Sequence, residues 1–299
     1  MTEKNPEIDT LNKEYPVRIV AVVDMLGTSA RVRSIGTHVE SFRMMKGLFE
    51  NLANEIHNIE TRPGDMVRFI RQFAVEQLAL EPARSQEERK NMSNILANIG
   101  DEKDKIKCIM MSDTIIMYGP PTGETGFNMI QSLLYFSRHC ILQGVLLRGA
   151  VVVGPFYHEG TSMFGLGFLK AYHLENQVVD SPRIVVMKPI CDHRYLHEDP
   201  TGEGGIVYDP IIRKSDDGLY HINTFRADFG SRMVTPADGV RSPFFRTARE
   251  KLIELLAKAE KIEHWRKIAW TTNEFNRTVM AYTEWKISPI ELGTFDGKL

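Results

Sequence analysis

The sequence predicts an α+β fold in which helices cover one face of a mainly antiparallel sheet. Three observations lead to this prediction. Residues 17–23 form a β-branched, almost wholly apolar run typical of a central buried strand, residues 39–59 repeat apolar side chains at helical spacing, and two apolar runs within 106–118 enclose a tight turn. Strands and helices in this order build a layered α+β sandwich.

The first part of the chain is predicted to contain a strand, a long helix and an insertion. Residues 1–15 are charged and lack an apolar stretch, so we expect a flexible N-terminus. The strand at 17–23 ends at Asp24. The helix that follows is expected to bury one stripe, formed by Val39, Phe42, Met45, Leu48, Phe49, Leu52, Ile56 and Ile59. Residues 61–105 carry two further helical patterns joined by charged segments and are interpreted as an exposed helical insertion.

The second part begins with the hairpin, whose strands at 106–110 and 114–118 place Asp113 in the connection. A helix follows, with an apolar face formed by Phe127, Ile130, Leu133, Leu134, Phe136 and Ile141. The remaining predicted elements are a strand at 146–153, a helix at 165–179, a strand at 184–187, a loop at 199–217, a strand at 218–225, and helices at 244–262 and 263–283.

Residues 16–226 are therefore predicted to form the main domain, with a boundary near 226–243. The helices within 244–285 are expected to pack on that domain or on a partner chain. The tail at 293–299 is expected to be loose.

The composition excludes several classes of protein. The chain has 299 residues, 42% of them hydrophobic and 25% charged, with a net charge of −2, which argues against a basic nucleic-acid binder or a polybasic membrane binder. The three cysteines at 108, 140 and 191 provide no disulfide framework and favour a reducing compartment. No apolar run approaches the roughly 20 residues of a membrane span. We expect a cytoplasmic protein without nucleic-acid or membrane partners.

Two aspartates carry the candidate chemistry. Asp24 lies at the carboxyl end of a buried strand and Asp113 at the hairpin connection. If the hairpin lies beside the first strand, both carboxylates meet at one edge of the sheet. Two carboxylates and a backbone carbonyl suit a hard divalent ion that keeps positions open for substrate phosphates, and the turn after Asp24 can present amides to a triphosphate. Taken alone, each aspartate is also ordinary turn chemistry.

Four stretches of sequence carry a family resemblance. They are VVDMLGT at 22–28, IMMSDT at 109–114, LRGAVVVGP at 147–155 and AYHLE at 171–175. The first two resemble the metal-binding stretches of class III nucleotide cyclases, and the others are similar to a later strand and helix of that family. The resemblance spans about residues 17–225 apart from the insertion. The sequence as a whole is similar to the small bacterial pyrimidine cyclases of the Pycsar antiphage system.

The resemblance implies a class III cyclase-like sandwich and a homodimer whose active sites lie where two chains meet. A nucleoside triphosphate would be cyclised with two Mn²⁺ or Mg²⁺ ions, and the product would activate a separate effector protein. The implied metal ligands are Asp24, Asp113 and the backbone carbonyl of Met25, and the implied phosphate-binding residues are Gly27, Thr28 and Lys214.

The departures from the family concern the base and the transition state. The positions that read the base in purine cyclases correspond to Ile109 and Ser162, so the resemblance favours UTP, or else CTP. The transition-state asparagine and arginine correspond to Leu169 and His173, which leaves His173 or Arg213 as the candidate stabilising residue. Two alternatives remain open: a purine cyclase, and a nucleotide-binding homologue that has lost turnover.

Overall fold

The computed structural model describes residues 14–27, 106–191, 210–226 and 243–295, together with helical positions between 39 and 54. The strands are β1 Val17–Leu26, β2 Lys107–Met111, β3 Thr114–Gly119, β4 Leu146–Pro155, β5 Tyr157–Glu159, β6 Ser162–Phe164, β7 Ile184–Val186, β8 Ile212–Lys214 and β9 Tyr220–Ile222. The helices are α1 Gly123–Leu142, α2 Leu166–His173, α3 Pro243–Ala257 and α4 Ile262–Ala281. Three short helical segments also lie within the described ranges: a π-helical turn at Leu174–Val178, an α-helical turn at Lys188–Cys191 and a 3₁₀ turn at Thr283–Trp285.

Seven strands form one mixed sheet in the order β2-β3-β1-β4-β7-β9-β8, and β5 and β6 form a separate hairpin. The pairing of β4 with β7 is parallel, and the other pairings within the seven-stranded sheet are antiparallel. Because β1 is β-branched and apolar along most of its length, it lies between β3 and β4 as a central strand. The predicted α+β class with a mainly antiparallel sheet is therefore confirmed.

Helices cover both faces of this sheet. The side chains of β1 alternate, so Ala21 and Val23 pack with α1 in one cluster, whereas Val20 and Val22 pack with Ala171 of α2 in another. The prediction that helices cover one face is wrong for α2. Its first turn lies directly on β4, where a Cβ added to Gly154 would stand 2.8 Å from the Cα of Gly167.

A third cluster joins the two C-terminal helices to the end of the sheet. Trp285, Phe245 and Phe275 are fully buried there and pack with Leu146 of β4 and Phe225. The helices at the C-terminus thus pack on their own chain. None of the helices within the described ranges has the length and the apolar character that crossing a bilayer requires.

Several predictions fall on short or undescribed segments. The insertion at 61–105, nearly all of residues 1–15, and most of the boundary at 226–243 lie outside the described residues, as does the end of the tail. Of the expected buried stripe at 39–59, five residues lie outside the described ones, namely Met45, Leu48, Leu52, Ile56 and Ile59. Val39 and Phe42 are exposed and Phe49 packs on the α1 cluster, because helical spacing defines a face but not how far the core extends beneath it.

Candidate functional site

The hairpin lies beside β1 and brings Asp113 to the end of the strand that carries Asp24. Asp24 is in register with Thr114 of β3, the residue that follows Asp113. The connection is the two-residue turn Ser112–Asp113, in which Ser112 has a φ of 58°. The backbone amide of Met25 donates to the carbonyl oxygen of Asp113 at 3.0 Å, which ties the turn to β1.

A buried ion pair lies next to the two aspartates. Arg148 of β4 is in register with Asp24 on the other side of β1. Its Nε and Nη2 donate to Oε1 of Glu175 at 2.7 and 2.5 Å. Glu175 is 3% exposed and belongs to the π-helical turn after α2. The end of β1 is thus surrounded by three carboxyl groups and one guanidinium.

The electrostatics of this cluster are dominated by negative charge. Burial, followed by repulsion from Glu175 and from Asp113, raises the pKa of Asp24 to about 6, while Arg148 and the amide of Met25 act in the opposite direction. When all four side chains are ionised, three carboxylates and one guanidinium carry a net charge of −2. Several carboxyl groups gathered at a half-buried position favour binding of a cation.

The predicted metal ligands fit a divalent ion in their chemistry. The carboxylates of Asp24, on β1, and Asp113, in the adjoining turn, are hard oxygen donors, and a bound cation would relieve the repulsion between them. The side chain of Met25 is buried on the opposite face, in the α1 cluster, so this residue would contribute through its backbone alone. Within the described ranges, no group of three or more histidine, cysteine, aspartate or glutamate side chains is arranged to hold an ion.

The predicted phosphate-binding residues are divided between the site and the far edge of the sheet. Gly27 directly follows β1, is exposed and has a φ of 85°. Thr28 lies outside the described residues. Lys214 is on β8, four strands from β1 or about 19 Å across the sheet, and its Nζ lies over the ring of Tyr220 at 5.8 Å. The structure does not bring Lys214 to Asp24 within one chain.

The predicted base-reading residues lie on different elements. Ile109 is half-buried on the face that carries Asp24, in register with Ile116 of β3. Ser162 is exposed on the β5–β6 hairpin, which follows Pro155 at the end of β4 opposite to Arg148. Seven residues of extended strand, about 23 Å, separate that end from Asp24.

The two predicted transition-state residues have different surroundings. His173 is exposed at the end of α2, two residues before Glu175. Arg213 of β8 contacts Glu274 of α4 at 3.4 Å, and Glu274 also contacts Arg277. These charged contacts join the sheet edge to α4, far from Asp24.

Three partly buried side chains near Arg213 lie in the order hydroxyl, imidazole, carboxylate. Oγ of Ser215 lies 2.8 Å from Nδ1 of His221, whose Nε2 lies 3.6 Å from Glu274. That second distance exceeds a hydrogen bond, and His221 is buried. We therefore interpret the series as part of the contact between the sheet and α4 rather than as a hydrolytic site.

Sequence reasoning assigned no role to Arg148 or Glu175. Two signals mark them in hindsight. Arg148 interrupts a long apolar strand run. Glu175 follows the buried Ala171 by four residues, so Ala171 and Glu175 lie on one face of the helical segment. A buried charge requires a partner, so each signal predicts an ion pair but not its location.

Comparison of the sequence with models of known protein families gives no match, and comparison with curated proteins gives none either. What the site does has to be inferred from its residues.

Proposed function

We propose that this chain is a metal-dependent nucleotide cyclase that converts a pyrimidine nucleoside triphosphate, UTP in preference to CTP, to the 3′,5′-cyclic monophosphate and pyrophosphate. The observation that carries the proposal is the pair formed by Asp24, near the end of β1, and Asp113, in the turn between β2 and β3, within a cluster of three carboxyl groups and one guanidinium. Two carboxylates with open positions around them suit divalent ions that also bind a triphosphate.

In this reaction the 3′-oxygen forms a bond to the α-phosphorus, the bond from the α-phosphorus to the bridging oxygen of pyrophosphate breaks, and the 3′-hydroxyl proton passes to solvent. Asp24 and Asp113 would hold the metal ions and so orient the triphosphate. When bound, the ions lower the pKa of the attacking hydroxyl and neutralise the leaving pyrophosphate. Gly27, at the open turn after β1, would admit the phosphates close to the backbone.

The preference for a pyrimidine follows from the family resemblance together with the placement of Ile109. The side chain of Ile109 packs on the cluster that contains Val22 and Ala171. It has no polar atom that could form a hydrogen bond with the edge of a purine. Ser162 is exposed and offers one hydroxyl as donor and acceptor. We infer that the base lies against an apolar surface and is read through few hydrogen bonds.

The complete site would require a second copy of the chain. Ser162 belongs to the hairpin that follows Pro155, and the Pro155 end of β4 is about 23 Å along the strands from Asp24, so we infer that the base and the metal ions of one nucleotide are held by different chains. The exposed side of α2 and its flanks presents a row of large apolar side chains, namely Phe164, Leu166, Leu169, Tyr172 and Val178. Such a row is typical of a protein interface. A homodimer would place Ser162 of one chain at the Asp24 site of the other.

We propose that this activity produces a cyclic nucleotide messenger in the cytoplasm during antiphage defence. A separate effector protein would sense the messenger.

The alternative of a homologue that binds nucleotide without turnover is favoured by one observation. Leu169 and His173 replace the asparagine and arginine of the resembled family. Purine specificity is the second alternative.

The direct test is incubation of the purified full chain with ATP, GTP, CTP or UTP and Mn²⁺, with products identified by mass spectrometry. We expect cyclic UMP, or cyclic CMP as the minor product. The variant Asp113→Asn should retain its fold, as judged by circular dichroism, and lose at least about 100-fold in turnover. The control Asp180→Asn changes an exposed aspartate beyond the π-helical turn and should be fully active.

Each outcome of this test separates the candidates. A cyclic purine product would overturn the assigned base. Binding of Mn²⁺ and triphosphate without any product would support the homologue that has lost turnover. Activity of Asp113→Asn equal to that of the parent would overturn the metal assignment.

A further inference from the structure

Arg148 does not bind its nearest acidic neighbour across the strands. It is in register with Asp24 on adjacent antiparallel strands, where side chains on one face have Cβ atoms about 4.5 to 5.5 Å apart. An arginine placed opposite a carboxylate in this way can form an ion pair with it, and such pairs are frequently bidentate. The hydrogen bonds described for the Arg148 side chain go instead to Oε1 of Glu175.

Glu175 is suited to hold Arg148 away from β1. Its carboxylate is almost completely buried, so it requires a partner that neutralises its charge, and Arg148 is the cation in contact with it. Glu175 lies in the π-helical turn, where the amide of Val179 donates to the carbonyl oxygen of Leu174 at 2.9 Å. Such widened turns occur frequently at functional sites.

We propose that Glu175 is a positioning residue of the Asp24 site: it holds the guanidinium of Arg148 away from the carboxylate of Asp24 and so keeps that carboxylate available to a divalent cation. The inference rests on the proposed function, since it concerns the same metal site. Without Glu175, Arg148 turns to Asp24, neutralises it and occupies the oxygen atoms that a metal ion needs. The described contacts agree with this arrangement, because the guanidinium of Arg148 forms its ion pair with Glu175 and attracts Asp24 only from a longer distance.

The test measures Mn²⁺ binding to the full-length protein without nucleotide, from the electron paramagnetic resonance signal of free Mn²⁺ at neutral pH. The variant Glu175→Gln should bind Mn²⁺ at least about tenfold more weakly, as is usual when the surroundings of a metal ligand are disturbed. The double variant Glu175→Gln, Arg148→Met should recover most of the affinity, because no guanidinium remains to occupy Asp24. Circular dichroism and thermal unfolding verify that each variant folds.

A matched control separates this effect from a change of net charge. The double variant Glu175→Gln, Lys170→Met has the same net charge as the first double variant, but it removes an exposed lysine of α2 and keeps Arg148. It should remain as weak a Mn²⁺ binder as Glu175→Gln alone. Recovery in both double variants would show that net charge decides the affinity and would overturn the positioning role.

Two further outcomes distinguish this inference from the proposed function. If the parent protein binds Mn²⁺ and Glu175→Gln binds it equally well, the positioning role is wrong and the metal site stands. If the parent protein binds no Mn²⁺, the metal site itself is wrong and the positioning role is overturned with it.

Discussion

Asp24 is a carboxyl group whose charged form is disfavoured by the fold. Its pKa is raised from 3.8 to about 6 by burial and by its acidic neighbours. The folded chain therefore binds the proton of Asp24 more tightly than the unfolded chain does. Below pH 3.8 the group is protonated in both, and the stability that goes with the protonated form is fully present. That contribution is lost as the pH rises through about 6, because the folded chain then holds the charged form at a cost.

The substitution Asp24→Asn should therefore stabilise the protein at pH 8 while abolishing metal binding. We expect a gain in the free energy of unfolding of about 1 to 2 kcal/mol, less than the pKa difference alone implies because solvent screens a half-buried carboxylate. The gain should disappear near pH 4. Urea unfolding at both pH values measures it, with Asp180→Asn as the control that should show no change. Equal or lower stability of Asp24→Asn at pH 8 would contradict the assigned repulsion.

At the same scale, the sequence located the two aspartates but not the ion pair that surrounds them. Asp24 and Asp113 were predictable because a strand end and a hairpin turn are local features with clear signals. The contact of Arg148 with Glu175 joins residues 27 positions apart. It depends on how α2 and its π-helical turn lie on the sheet, which no local pattern contains.

Among the elements, long and strongly patterned segments were predicted and short ones were not. The positions of β1, β4 and α1 follow from β-branched runs and a complete apolar stripe. Strand β8 and the β5–β6 hairpin have strands of three residues each, too short to show a period, and β8 was assigned to a loop. The face on which α2 packs was predicted wrongly because its stripe identifies the buried side of the helix but not the side of the sheet that it meets.

The close contact of α2 with β4 should be sensitive to a single methyl group. In Gly154→Ala the added Cβ would stand 2.8 Å from the Cα of Gly167, so the helix has to move. We expect a loss of about 1 to 3 kcal/mol in the free energy of unfolding, as for other overpacked contacts. Urea unfolding measures it, and Gly293→Ala, which has no atom within 4 Å of the added Cβ, is the control. A variant Gly154→Ala as stable as the parent would show that α2 does not lie on β4 in this way.

The candidate functional residues lie on separate parts of the molecule. Asp24 and Asp113 lie at one end of β1, Ser162 follows the opposite end of β4, and Lys214 lies on the far edge of the sheet. The apolar row along α2 connects the two ends of the molecule on the face that carries Asp24. A two-fold symmetric pair of chains that meets on this row would bring Ser162 of each chain to the Asp24 site of the other.

The substitution Leu169→Asp tests this arrangement. Leu169 lies within the row and is 57% exposed. The folded chain should therefore tolerate a charge at this position, whereas an apolar interface should not. We expect a folded monomer by analytical ultracentrifugation, with turnover reduced at least about 100-fold. Mn²⁺ binding should persist, since both aspartates belong to one chain. The control Met280→Asp changes an apolar residue on α4 that is 63% exposed, and it should remain dimeric and active. Either of two results would show that one chain suffices for catalysis. The parent protein could be active as a monomer, or the Leu169→Asp monomer could be fully active.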